Sequence, residues 1–77
     1  MMKAEFQNSE EFDNHFMLVN EGSIYDKAIT KIEKVIIEKA LGRTFGNKIK
    51  AAKILGINRN TLNAKVRKLN INVRRFK

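Results

Sequence analysis

The sequence predicts an all-α fold, a small helical domain with a C-terminal helix-turn-helix that assembles as a dimeric helical bundle. Three observations predict it. Apolar residues recur at helical spacing over most of the chain after residue 23. Asn and Gly residues stand where helix starts and stops are needed. Charge is segregated: residues 1–22 carry one Lys against five acids, residues 23–38 three of each sign, and residues 39–77 twelve Lys or Arg with no acid. A stretch that repels itself this strongly is either disordered or faces a polyanion, and its regular apolar spacing argues for the polyanion.

Seventy-seven residues suffice for one small domain, which buries only roughly 60% of the surface its unfolded chain exposes. The sequence contains no cysteine, so neither a disulfide nor a zinc-thiolate site supports the fold, and a partner subunit is the remaining support. No cofactor or metal is expected. No apolar run approaches the roughly 18 residues that span a bilayer, and Met-Met-Lys-Ala-Glu-Phe leads into acidic sequence rather than a signal-peptide core. The expectation is a soluble, cytoplasmic protein with no membrane segment.

Residues 1–22 read as an acidic N-terminal arm or the remnant of an interdomain linker. Phe12, Phe16 and Val19 follow an i, i+4, i+7 spacing that also suits a short helix, but acidity and terminal position favour the arm. The domain proper spans residues 23–72. Ser23 with Asp26 reads as a helix N-cap followed by a first-turn acid, so a helix is expected over 24–41. Along it Ile24, Tyr25, Ala28, Ile29, Ile32, Val35, Ile36 and Ala40 cover an arc of about 160° at 100° per residue, with Ile37 and Leu41 beyond its edge. Such an arc is wider than one core requires. The helix is therefore expected to pack on its own domain and on a second copy, with Tyr25, Ala28, Ile29, Ile32, Val35 and Ile36 in the seam of a homodimer.

Gly42 is expected to end that helix, and Thr44-Phe45-Gly46 to connect it to a helix over 48–55 capped by Asn47, with Phe45 packed beneath the junction. Ile49, Ala52 and Leu55 lie on one side of this second helix, and Gly56 supplies the left-handed residue that terminates it. Asn58 caps a third helix over 59–69, on which Leu62, Val66 and Leu69 form a narrow apolar stripe. The basic tail 73–77 either lies along a phosphate backbone or is disordered.

Two short helices joined by Gly56-Ile57-Asn58 form a bihelical unit with the turn length of a helix-turn-helix. Ala52 is small where two steeply crossing helices must approach, and Ile57 and Leu62 fill the angle between them. The opposite face of the third helix carries Asn60, Asn63, Ala64 and Arg67, with Arg59 at its start. Arg donates two hydrogen bonds to guanine and Asn pairs with adenine in the major groove of double-stranded DNA. Recognition helices read bases mainly through their N-terminal residues, so Arg59, Asn60 and Asn63 are the base-reading candidates. Lys48, Lys50, Lys53, Lys65 and Lys68 suit phosphates, as does Arg67, and Asn47 stands at a helix N-terminus that also binds phosphate oxygen. A solvated surface charge is as good an account of any single lysine; the cluster carries the signal.

Other function classes fit less well. The only histidine, His15, lies in the arm, and no carboxylate follows Glu38 to act as base or metal ligand, which argues against an enzyme. Only Phe45 and Phe76 are aromatic in the basic half, too few for single-stranded RNA recognition. A cationic amphipathic segment on an anionic membrane accounts for the charge but not for Ala52 and Gly56.

Gly46-Asn47-Lys48, Ala51-Ala52, the run Leu55-Gly56-Ile57-Asn58-Arg59-Asn60-Thr61-Leu62, and Leu69 together resemble the Fis-type helix-turn-helix. That family includes the nucleoid protein Fis and the C-terminal DNA-binding domains of NtrC-like activators of sigma-54 RNA polymerase. The resemblance spans residues 24–72 and is densest over 46–69. It implies that the helix from Ile24 pairs with its counterpart, that Arg59 reads a base, and that Asn58 and Thr61 contact the backbone or adjacent bases. The sequence departs from Fis at Asn60, where Fis has Gly, and at Asn63 and Ala64, where Fis is basic. Both departures favour a sequence-specific activator domain at palindromic enhancer sites over a stand-alone, DNA-bending nucleoid protein. No ATPase motif or receiver domain is present, so the expectation is a domain excised from a longer activator, whose AAA+ ATPase and receiver domains would act on sigma-54 polymerase.

Overall fold

The computed structural model describes residues 12–77, so the first half of the acidic arm, with Phe6, lies outside the described residues. Four α-helices follow in order: α1 Asn14–Val19, α2 Ile24–Arg43, α3 Lys48–Leu55 and α4 Arg59–Lys68, with a final 3-10 helix Val73–Phe76. The described residues contain no strand, and the fold is all-α as the sequence predicts.

The caps explain most boundaries. The side-chain oxygens of Asp13, Asn47 and Asn58 accept from the backbone N–H groups of Phe16, Lys50 and Asn60 at 2.9, 3.1 and 2.7 Å, each satisfying a donor that the first turn leaves free. Asp13 thus starts a short helix where the sequence favours an acidic arm or linker remnant over a helix. Its Phe16 ring lies 5.3 Å from Phe12 edge-on and 5.7 Å beneath the Lys31 ammonium, which ties α1 to α2. Ser23 does not cap α2 with its side chain; its hydroxyl turns back to donate to the Asn20 carbonyl at 3.3 Å. Asp26 does occupy the first turn of α2, as expected.

Gly42 does not end α2. The helix runs on to Arg43, and the Thr44 hydroxyl donates to the Ala40 carbonyl at 3.0 Å to close its last turn. The left-handed residues come later, at Phe45 (φ 55°) and Gly46 (φ 80°), where the Gly46 N–H reaches back to the Leu41 carbonyl at 2.8 Å. A residue at the apex of so tight a turn is carried outward. Phe45 accordingly stands 78% exposed instead of packing beneath the junction.

One core joins the last three elements to the C-terminal half of α2. Ile37, Ala40 and Leu41 meet Ala51 and Ala52 of α3, Leu62 of α4, and Leu69 and Ile71 beyond it; Leu55, Ile57, Val66, Val73 and Phe76 surround them half-buried. Two expectations change here. On α3 the buried pair is Ala51 and Ala52, while Ile49 is 59% exposed. On α2, Ile37 and Leu41, placed by the sequence beyond the edge of the apolar arc, hold the core, and the arc itself is left largely open. Tyr25, Ile29, Val35 and Ile36 are exposed, and Ala28 and Ile32 half-buried. At 100° per residue these six centre roughly 155° around the helix from Ile37 and Leu41. The apolar residues of α2 therefore form two faces, only one of which is well covered by the described residues.

Candidate nucleic-acid interface

The crossing of α3 and α4 is set by the turn between them. Gly56 adopts φ 76°, ψ 28°, and the Ile57 N–H returns to the Ala52 carbonyl at 3.0 Å, closing α3 in a Schellman motif. A Cβ built on Gly56 meets nothing within 4 Å, so glycine is required there for backbone conformation rather than space. Ala52, 3% exposed, sits at the close approach. The same device ends α4 with Asn70 (φ 58°) in place of Gly, and the Ile71 N–H bonds to the Val66 carbonyl at 3.0 Å.

With Leu62 fully buried and Leu69 8% exposed, α4 turns a polar face outward. Arg59, Asn60 and Asn63 line one shallow depression with Asn47 and Lys48 from the start of α3. The three base-reading candidates thus share a concavity with the helix N-terminus expected to hold a phosphate. Arg67 lies in an adjoining depression with Lys48 and Asn63. No Asp or Glu among the described residues lines either one. Asn47 and Asn58 use their side-chain oxygens as caps, which leaves their amide N–H groups as donors. Asn63 is half-buried, and its Oδ1 is buried with no hydrogen-bond partner among the described residues.

Thr61, Lys65 and Lys68 follow i, i+4, i+7 spacing along a different edge of α4. That edge runs beside α2: Lys65 and Lys68 line a cleft with Asp26, Ile29, Thr30 and Glu33. The Lys65 ammonium donates to Glu33 Oε2 at 2.7 Å, with both side chains about one-third exposed or less. Lys65 was expected on a phosphate; the structure gives it an acid from 32 residues earlier, and its charge is engaged within the fold. Lys50 and Lys53 are exposed on α3.

Four further residues line the depression outside the predicted site, Phe45, Gly46, Ile49 and Lys77. Phe45 and Lys77 each have a signal in the sequence. Two helices joined by a short turn ending in Gly-Asn need left-handed residues that expose whatever precedes the glycine, here Phe45. Val73 and Phe76, at i, i+3 after the capping residue Asn72, mark a docked turn that carries Lys77 with it.

The family model described as bacterial regulatory protein, Fis family, matches residues 28–69. Over 50 residues, 65% of this chain and 10% of the relative, the sequence is 48% identical to the DNA-binding transcriptional regulator NtrC of Azospirillum brasilense. It is also 48% identical over 52 residues to the DNA-binding transcriptional regulator NtrC of Rhizobium meliloti (strain 1021), covering 68% of this chain and 11% of that one. Identity to the DNA-binding protein Fis of Buchnera aphidicola subsp. Acyrthosiphon pisum (strain 5A) is 36% over 50 residues, 65% of this chain and 51% of that protein. The chain therefore spans about a tenth of the length of the NtrC regulators and about half of Fis. No solved structure matches it.

Proposed function

Because the chain belongs to the Fis family of bacterial regulatory proteins, we propose that it binds double-stranded DNA sequence-specifically as a homodimer, as the DNA-binding domain of an NtrC-like, sigma-54-dependent activator at palindromic enhancer sites. The observation that carries this reading is the gathering of Arg59, Asn60 and Asn63 with Asn47 and Lys48 around one depression lined by no Asp or Glu side chain. Arg59 and Asn60 read base edges, with Asn63 at the floor of the depression. Asn47, Lys48, Lys50, Asn58, Thr61, Arg67 and Lys68 position the duplex through its backbone. Lys65 is assigned to holding α4 against α2 through Glu33.

The homodimer is supported by a face of α2 that the described residues leave largely open, with Tyr25, Ile29, Val35 and Ile36 exposed and Ala28 and Ile32 half-buried. A row of large apolar side chains on one helix of so small a domain suits a self-complementary seam. Pairing α2 with its counterpart would set the spacing of two recognition helices and hence of two half-sites. In a longer chain, AAA+ ATPase and receiver domains would join this domain to act on sigma-54 polymerase. The protein works in the cytoplasm, on the nucleoid, and is not an enzyme; no described helix is long and apolar enough to cross a membrane.

A stand-alone architectural protein is the second reading, favoured by the match to half of the Fis chain. Binding of the 77-residue chain to a palindromic duplex selected from a random pool, against a scrambled duplex, separates the two. Two chains per duplex and a preference of about a thousandfold or more support the activator domain. Equal affinity with a steep salt dependence supports the architectural protein.

A further inference from the structure

The basic tail, beyond the stretch that matches the family, is docked against the fold. The Asn72 side-chain oxygen accepts from the Arg74 N–H at 3.1 Å and starts the 3-10 helix Val73–Phe76. Val73 and Phe76 pack half-buried on the core. Phe76 lies beside the last turn of α2, where a Cβ on Gly42 would meet its ring at 3.8 Å. Arg75 stacks over the same ring at 5.1 Å and comes within 3.8 Å of Glu38 on α2.

That docking fixes where Lys77 goes. A Cβ on Gly46 would fall 2.6 Å from Lys77 Cγ and 3.3 Å from the Val73 carbonyl oxygen, so the Lys77 stem lies directly on the turn that precedes α3. Lys77 thereby lines the same depression as Asn47, Lys48, Arg59 and Asn60. Arg75 is drawn towards an acid; Lys77 makes no ion pair among the described residues and is held beside cations. In the 77-residue chain Lys77 also bears the terminal carboxylate, so what it adds beside Lys48 and Arg59 is an ammonium on a packed stem, not net charge, and a polyanion competes for that ammonium.

We propose that the C-terminal 3-10 helix is a further DNA-contact element, anchored by Phe76, whose Lys77 ammonium neutralises a backbone phosphate flanking the bases that Arg59 and Asn60 face. The inference rests on the DNA-binding reading and adds to it a contact outside the helix-turn-helix. Anchoring matters because a lysine whose stem is already packed loses less freedom on binding than one on a free tail.

The test uses the full chain and a duplex that it selects from a random-sequence pool. Lys77→Ala is compared with Lys34→Ala, which removes the same charge from a separate depression lined by Lys31, Val35 and Glu38. Lys77→Ala is expected to weaken binding about five- to tenfold near 0.1 M salt and to lower the slope of log K against log salt by about 0.9 per chain. Lys77→Arg is expected to restore both, and Lys34→Ala to change neither by as much. Because the sequence has no cysteine, Lys77→Cys also gives a unique site for a DNA-cleaving iron chelate, which should cut at one position beside each half-site. Equal losses for Lys77→Ala and Lys34→Ala, or no localised cutting, would overturn the inference while leaving DNA binding intact. An unaltered chain that retains no duplex at all would instead overturn the DNA-binding reading itself.

Discussion

Replacing Lys65 tests whether a basic residue on a recognition helix serves the DNA or the fold. Its ammonium lies 2.7 Å from Glu33 Oε2, with side chains 32% and 26% exposed. A pair this open to solvent contributes about 1 kcal/mol or less once screening is counted. Lys65→Met and Glu33→Gln should therefore each lower the urea-unfolding free energy by about 0.5–1 kcal/mol. The double variant should lose less than the sum, with a coupling of about 0.5 kcal/mol. Binding should respond asymmetrically. Lys65→Met removes a charge already engaged and should leave the salt slope nearly unchanged. Glu33→Gln releases that charge next to the duplex and should steepen the slope by up to about 0.9 per chain. Urea titrations give the first set of numbers and anisotropy against a labelled duplex the second. A Lys65→Met variant of normal stability whose salt slope falls by about 0.9 would refute the reasoning and return Lys65 to the phosphate contacts.

Arg59→Ala should cost about 1–3 kcal/mol on a selected duplex and relax preference at one base pair, measured by competition with single-base variants. Ile36→Asp alters a residue 44% exposed in the protomer, so circular dichroism should stay helical while sedimentation shows monomers; a variant that remains dimeric would exclude Ile36 from the seam. Asn63→Ala removes a buried oxygen that has no partner, so stability should hold or rise slightly by urea titration, and any lost DNA affinity then reports a contact. Gly46→Ala should destabilise by roughly 1–2 kcal/mol from its left-handed backbone alone, with φ at 80° and the Val73 carbonyl 3.3 Å from the new methyl adding to the loss.

What the sequence displays most clearly is the backbone's punctuation. Asn47, Gly56 and Asn58 act through hydrogen bonds and dihedral preferences that reach only a few residues, so the positions of α3 and α4 could be read from local sequence within a residue. Packing is not local, and there the reading slipped. Ile49 and Ala51 both fit an eight-residue helix with an apolar side; which of them is buried depends on how steeply α3 crosses α2, and only a small residue fits that approach. On α2 apolar spacing alone does not separate a face covered by α3 and α4 from a face that the described residues leave largely open, since hydrophobicity does not say what a residue touches. Phe45 was misplaced because its exposure follows from two consecutive left-handed residues, which outweigh the burial preference of an aromatic ring.

The charge asymmetry of the sequence also changes meaning in three dimensions. Glu33 and Glu38 are the last two acids in the chain, and each faces a cation from the acid-free half, Lys65 at 2.7 Å and Arg75 at 3.8 Å. Both pairs join α2 to elements that also carry the DNA-facing residues, one through α4 and one through the C-terminal 3-10 helix. Subtracting these two cations leaves ten of the twelve, and the ones around Asn47, Asn60 and Asn63 have no acid beside them. The pair that holds the recognition helix to α2 therefore neutralises Lys65 on the edge turned towards α2, where Lys68 stays unpaired among the described residues, and leaves the edge that holds Arg59 its full charge. A field concentrated in this way orients the domain on a polyanion before any base is read, and it does so only while α4 keeps its angle to α2.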